Sequence, residues 1–222
     1  MVAPEIDYGV EETGGSYRVT AAGKPLKTPA GHALLYPTKA VAEKTAQQMA
    51  DHGTQAPFYR LMSFAQEMDR DKITAELLEH FDTDLVCYPA PEPADLVAWQ
   101  QKHWQPVLDW AKQKGIAPIK TTSSAAPITQ TDTARKTLEA HLAGLSNVEL
   151  TGVYMAGKLA GSVLTALGLA AGAFNAEQAH AIAHADELYQ QQRYGTDTEL
   201  EAQLKTALGQ MAEVEAFVRL SR

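Results

Sequence analysis

Two imidazoles and a carboxylate stand at helical spacing late in the chain: His180, His184 and Glu187. Four and then three residues apart on one continuous helix, they share a face. Two histidines and a carboxylate can hold zinc and leave a position open for water, the arrangement of a metal-dependent hydrolase. The pattern lacks the glutamate that follows the first histidine of a metalloprotease helix, because Ala181 stands there. In a chain with seven histidines such pairs also arise as exposed or partly packed helix residues. Asp186 and Glu187 form an acidic pair. Neighbours on a helix point about 100° apart, so these two do not face each other as glycosidase carboxylates do. Two readings stay open for the pair: a solvated face, or a docking point for a cationic group of a partner.

Other reactive residue types lack the settings that would make them work. Cys87 is the one cysteine, which forbids an internal disulfide and fits a reducing compartment. In the apolar run Leu85-Val86-Cys87-Tyr88 it reads as a buried small hydrophobe. Gly14-Gly15 and Ala22-Gly23-Lys24 do not complete a Gly-x-x-x-x-Gly-Lys-Ser/Thr phosphate loop, and Gly157-Lys158 is followed by Leu159. Ser123-Ser124 lacks the Gly-x-Ser-x-Gly of a nucleophile elbow. Trp99, Trp104 and Trp110 fall at near-helical spacing. That reads as core, with an aromatic binding groove as the alternative. No catalytic centre and no cofactor are expected from these residues.

Composition narrows the partners. Of 222 residues, 45% are apolar and 21% charged, as in ordinary globular proteins. A net charge of −8 argues against general nucleic-acid binding and against docking on anionic lipid. It suits a basic or mixed-charge protein partner. The start, Met1 to Asp7, carries Glu5 and Asp7 and no base before Arg18, so neither a secretory signal nor a transit peptide is expected. Leu159 to Phe174 is sixteen residues without charge. That is short of the ~20 of a bilayer span, so a wrapped core helix is expected. Gly157, Gly161, Gly168 and Gly172 would line one face of it.

The elements that must position these groups can be read in order. Tyr17–Thr20, Pro25–Thr28 and His32–Tyr36, broken by Gly and Pro, suggest a small antiparallel meander. A helix follows over Thr38–His52, capped by Thr38 and Gly53, with Val41, Thr45, Gln48 and Met49 inward. Pro57–Leu61 reads as a connector and Ser63–Phe81 as a helix with Leu77, Leu78 and Phe81 inward. Thr83–Tyr88 reads as a short strand. Pro89, Pro91 and Pro93 then forbid regular structure and mark a boundary. Beyond it the chain reads as helical: Ala94–His103, a helix started or kinked by Pro106 and ending at Gly115, then irregular chain over Ile116–Ile128. Asp132–Ala143 follows, and a helix from the Ser146–Glu149 capping box to about Gly172. Asn175 caps a helix through Tyr194, Gly195 breaks it, and the last helix runs from Asp197 or Thr198 to Leu220. The expected class is α+β: a small antiparallel β-rich N-terminal domain with helices, residues 1–90, and a mainly α-helical C-terminal domain, residues 91–222.

Several of these segments, in order, resemble one known family, the assembly chaperone of the ATP synthase α subunit found in mitochondria and some bacteria. Gly23-Lys24-Pro25-Leu26-Lys27-Thr28-Pro29 is similar to its Gly-Arg/Lys-Pro-Leu/Val-Lys-Thr-Pro hairpin. Thr83-Asp84-Leu85-Val86-Cys87-Tyr88 resembles its Thr-Asp-Leu-Leu-Cys-Tyr segment. Gln100, Trp104, Pro106, Leu108, Asp109 and Trp110 fit its Gln-x-x-x-Trp-x-Pro-Leu-Leu-Asp-Trp helix. Gly161-Ser162 with Leu164, Ala166 and Leu167 fits its Gly-Ser-x-x-Leu-Ala-Leu-Ala core helix. Asp186-Glu187-Leu188-Tyr189-Gln190 and Tyr194-Gly195-Thr196-Asp197 look like its Asp-Glu-x-Trp-Gln and Trp-Gly-x-Asp. Tyr189 and Tyr194 replace tryptophans, Gln48-Met49 a Glu-Trp, and Ser63 and Glu67 an Asn and an Asp.

The resemblance implies an α+β domain followed by a helical one, and binding of the free α subunit before assembly. An unassembled subunit exposes apolar area that aggregates. A protein that covers it needs no ATP, and must bind more weakly than the β subunit that displaces it. The acidic pair is functionally sensitive in the family, so Asp186, Glu187, Gln190 and Tyr194 are the expected partner-binding residues. No metal site, nucleic acid or membrane insertion is implied. The expected compartment is a bacterial cytoplasm, and the oligomeric state stays open.

Overall fold

The structure, a computed structural model, describes residues 6–124, 126–195 and 197–222. The reading of the N-terminal segment Met1–Glu5 and of Thr196 in the last motif lies outside the described residues, as does Ala125 of the irregular stretch. The chain forms two compact units. The first comprises Met1–Asp69, Ser146–Thr151 and Ala216–Arg222; the second comprises Arg70–Leu145 and Gly152–Glu215, and so contains the proline run 89–93. The fold is α+β: a small antiparallel sheet, then helices.

In the first unit, β1 (Tyr8–Thr13) and β2 (Ser16–Ala21) form a hairpin, and β3 (Lys24–Pro25) adds to β2. Gly14 and Gly15, at φ +57° and +80°, make the two-residue turn whose twist matches the strands. That turn fixes the register from Thr13↔Ser16 to Tyr8↔Ala21. The sequence reading has no strand at Tyr8–Thr13, where Glu11 and Glu12 interrupt the β-forming run. The expected His32–Tyr36 strand is reduced to single bridges, Tyr17↔Tyr36 and Lys27↔Ala33. Helix α1 (Lys39–His52) matches expectation: Thr38 Oγ1 accepts from the Val41 N–H, and Val41, Thr45, Gln48 and Met49 are buried. Helix α2 (Pro57–Glu67) corrects the expected connector, because a proline fits the first helical turn, where no N–H is needed. Phe217 meets the Phe58 ring edge to face at 5.4 Å.

In the second unit, Arg70–His80 is a separate helix, α3, since the chain turns extended at Met68 (ψ 144°). The expected strand Thr83–Tyr88 is instead two short 3-10 turns, Phe81–Thr83 and Leu85–Cys87. Asp84 closes the second by accepting from the Val86 N–H. An apolar run this short has no periodicity that separates strand from turn. Helix α4 (Ala94–Gln113) is continuous through Pro106, so Pro106 does not start a new helix. Pro106 and Lys102, whose carbonyl loses its partner, both lie on the exposed side, where water serves. Helix α5 (Asp132–Ala143) is as expected.

The apolar stretch Leu159–Phe174 is buried, but it is not one helix. Helix α6 (Asn147–Ala160) starts on the expected Ser146/Glu149 box and stops at Gly161, at φ +60°. Ser162 then caps α7 (Val163–Ala170), every residue of which is buried. The four glycines therefore share no helical face. Gly157 lets the Ala166 Cβ come within 3.8 Å of where its own Cβ would stand, and Gly168 lies under the Phe174 ring. Among the described residues no helix is long and apolar enough to cross a membrane. Helix α8 (Ala176–Ala183) begins on a capping box of Asn175 and Gln178. The chain breaks at His184, then α9 (Ala185–Tyr194) runs to Gly195 and α10 (Thr198–Leu220) closes the fold.

Candidate functional site

The break at His184 (φ −114°, ψ 31°) organises the surface that carries the expected site residues. A helix end leaves carbonyls without intrahelical donors. An indole from α4 supplies one: Trp104 Nε1 donates to the Ile182 carbonyl, in the last turn of α8, at 3.0 Å, while Trp99 Nε1 donates to the Ala185 carbonyl at the first residue of α9, at 2.7 Å. Trp104 is buried, so its expected core role holds, and its N–H adds a specific bond. Trp99 is half-buried between His103, at 4.8 Å, and Tyr189, at 6.4 Å.

Gln100, one turn before Trp104, is fully engaged. Its Oε1 accepts from the Ala90 N–H at 2.7 Å and its Nε2 donates to Asp186 Oδ1 at 2.7 Å. The amide is buried, so Asp186 is held toward α4 and only half exposed. The pair expected to be jointly exposed is thus split. Glu187 keeps 42% of its side chain exposed and sits 3.8 Å from His184 Nδ1. The histidine holds the Glu187 carboxyl below the usual range. Glu187, Gln190 and Tyr194, three and then four apart, point to one side of α9. Gln190 is exposed, and Tyr194 is 77% exposed, which is unusual for so large a side chain. Arg193 pairs with Asp95 and lies 5.9 Å from the ring centres of both Tyr189 and Tyr194.

His180, His184 and Glu187 do not sit on one helix, because α8 ends between the histidines. The two imidazoles lie 4.7 Å apart, tilted at 47°. His180 is buried and its Nε2 is committed to the Leu204 carbonyl at 2.9 Å. Burial and the neighbouring His184 lower its pKa. Among the described residues no three His, Cys, Asp or Glu side chains converge as a metal site. Cys87 is buried, as expected, and burial raises its thiol pKa. One side of α9 thus presents a carboxylate, an amide and a phenol, and Trp99 and Trp104 of α4 bond the backbone at and before its start. Of the expected partner-binding residues, Gln190 and Tyr194 are exposed and Glu187 is partly so. Sequence reasoning missed the Asp95–Arg193 pair, whose members are 98 residues apart and carry no local signal.

Several known proteins are similar to this chain. The model of the family described as ATP12 chaperone protein matches residues 5–112. The crystal structure of Atp12 from Paracoccus denitrificans is similar at 31% identity, over 97% of this chain and 96% of that one, with a TM-score of 0.87. An aspartate-to-lysine mutant of the same Atp12p matches at 31% identity over 97% and 95%, TM-score 0.87. A chaperone candidate from Agrobacterium tumefaciens matches at 27% identity over 97% and 84%, TM-score 0.87.

Proposed function

The chain belongs to the ATP12 chaperone family, and we propose that it binds the unassembled α subunit of ATP synthase and promotes assembly of the catalytic sector. It acts by covering apolar surface, without nucleotide hydrolysis and without making or breaking covalent bonds, in a bacterial cytoplasm. The observation that carries the reading is the sequence identity sustained over nearly the whole of both chains at a TM-score of 0.87. The contact surface is the outward side of α9: Glu187 pairs with an arginine or lysine of the client, Gln190 bonds its backbone, and Tyr194 packs on apolar area beside that cation. Asp186 acts by fixing α9 against Gln100. An acidic, aromatic face on a chain of net charge −8 suits a client patch in which apolar area is edged by bases.

The test is capture of isolated α and β subunits by the tagged chain at ordinary ionic strength. The α subunit is expected to co-purify and the β subunit to stay in the flow-through. Glu187→Lys weakens capture by at least about five-fold, the worth of ~1 kcal/mol for an interfacial charge. Equal capture by Glu187→Lys removes α9 as the contact surface, and no capture of the α subunit removes the client.

A further inference from the structure

The open edge of the sheet is a second place where this chain can take hold of another polypeptide. In an antiparallel pair, residues alternate between those that exchange hydrogen bonds across the pair and those whose N–H and C=O point away from it. The two-residue turn after Thr13 fixes which are which. Asp7 faces β2, since its carbonyl accepts from the Ala22 N–H at 2.8 Å. On the far side of β2, Tyr17 and Val19 turn outward and are met, by Tyr36 and Leu26. The same alternation turns the N–H and C=O of Tyr8, Val10 and Glu12 toward the free side of β1. Among the described residues nothing bonds to them. Such a row is a template for an added strand.

Two further observations say what fits there. Beside the edge lies an open depression of about 430 Å³ lined by Ile6, Asp7, Tyr8, Ala46, Gln47 and Ala50. Ile6, 51% exposed, lines it with Ala46 and Ala50, so an apolar side chain has partners there beside the polar Asp7 and Gln47. The edge is also acidic. Asp7 and Glu12 are exposed and have no ion pair among the described residues. Glu11 is matched by Arg18 at 2.7 Å, and Lys44 is turned to Gln47 at 3.2 Å. Two copies joined edge to edge would bring the unmatched carboxylates of both to one seam with no base to meet them, which opposes self-pairing. An extended segment with alternating basic and apolar residues meets the carboxylates and the depression together.

We propose that the free edge of β1 receives an extended, basic and apolar segment of the client as an added strand, a contact separate from α9. It rests on the chaperone reading only for the statement that the segment belongs to the client. The test follows amide hydrogen exchange on the full chain, first alone, then with a seven-residue peptide alternating lysine and valine, then in the complex with captured α subunit. Alone, the Tyr8, Val10 and Glu12 amides exchange at least about ten-fold faster than those of Glu11 and Thr13. Peptide and client each slow the first set at least about ten-fold. Val10→Pro removes one outward N–H, which an edge strand tolerates, and abolishes that slowing. Should Val10→Pro disturb the hairpin, Glu12→Lys serves instead and weakens peptide binding about ten-fold.

If the α subunit is captured while the three outward amides stay fast, and Val10→Pro captures it equally well, the edge proposal is overturned and the chaperone reading stands. If no α subunit is captured, the peptide decides alone: slowing supports the edge site and unchanged exchange overturns it. Slowing that appears without peptide and grows with protein concentration assigns the edge to a second copy and also overturns the proposal.

Discussion

Asp186 and Glu187 are neighbours in the chain yet meet different surroundings, because Gln100 reaches the first and only His184 the second. Replacing each should therefore separate stability from binding. Asp186→Ala leaves the buried Gln100 amide without an acceptor, and is expected to lower unfolding free energy by about 1–3 kcal/mol in urea. Glu187→Lys should leave the urea midpoint nearly unmoved while client capture falls. Asp84 gives a pH signature. It is buried, accepts from the Leu164 N–H at 3.0 Å at the start of α7, and burial pushes its pKa up to about 6. The folded state thus holds this proton more tightly than the unfolded chain does. The resulting stability is full below the unfolded value of ~3.9 and is lost as pH rises through about 6. His180 runs the other way: burial lowers its pKa, so its contribution is present above ~6.5 and lost as pH falls. Thermal melts from pH 4 to 8 are expected to show Asp84→Asn gaining on the parent chain up to about pH 7 and holding a constant difference above it. A difference that does not change with pH contradicts the buried, proton-retaining state. At this scale Glu187, Gln190 and Tyr194 were singled out by the family resemblance, while the partners that divide the acidic pair, such as Gln100, are remote in the chain and left no local signal.

Helix starts were legible because they are local events. Thr38, Ser146 and Asn175 each satisfy a backbone N–H three residues on, and that pattern lies within four letters of sequence. Helix ends inside apolar runs were not. At the Gly161 break, Ser162 caps the new helix and Asp84, about eighty residues earlier, supplies a second acceptor, for the Leu164 N–H. The break at His184 carries no breaker residue; an indole 78 residues away meets the Ile182 carbonyl before it and a second, 86 residues away, the Ala185 carbonyl after it. Trp104→Phe tests that directly. It keeps most of the apolar volume, strands the Ile182 carbonyl, and is expected to cost about 1–3 kcal/mol with faster amide exchange along α9. Gly168→Ala tests the packing of α7. Its added methyl would enter the Phe174 ring, so the ring or the helix must move, at about 1–3 kcal/mol measured in the same urea titration. A neutral result at Gly168 would mean that Phe174 can turn aside without loss.

For the whole molecule, the fold class and the proposed client rest on different kinds of information. The α+β class was readable from turn residues early in the chain and uninterrupted helical patterning later. The compact units were harder to read, since Ser146–Thr151 and Ala216–Arg222 join the N-terminal sheet unit from far along the chain, and no composition change marks them. A net charge of −8 and a rigid face of carboxylate, amide and phenol fit a protein partner edged with bases. Shielding of that partner has a direct readout: light scattering from isolated α subunit diluted out of denaturant, with and without an equimolar amount of this chain and with no nucleotide present. The chaperone reading expects scattering to be suppressed, a soluble one-to-one complex to form, and added β subunit to release the α subunit from it. Scattering that proceeds unchanged, or suppression that requires ATP, would contradict it.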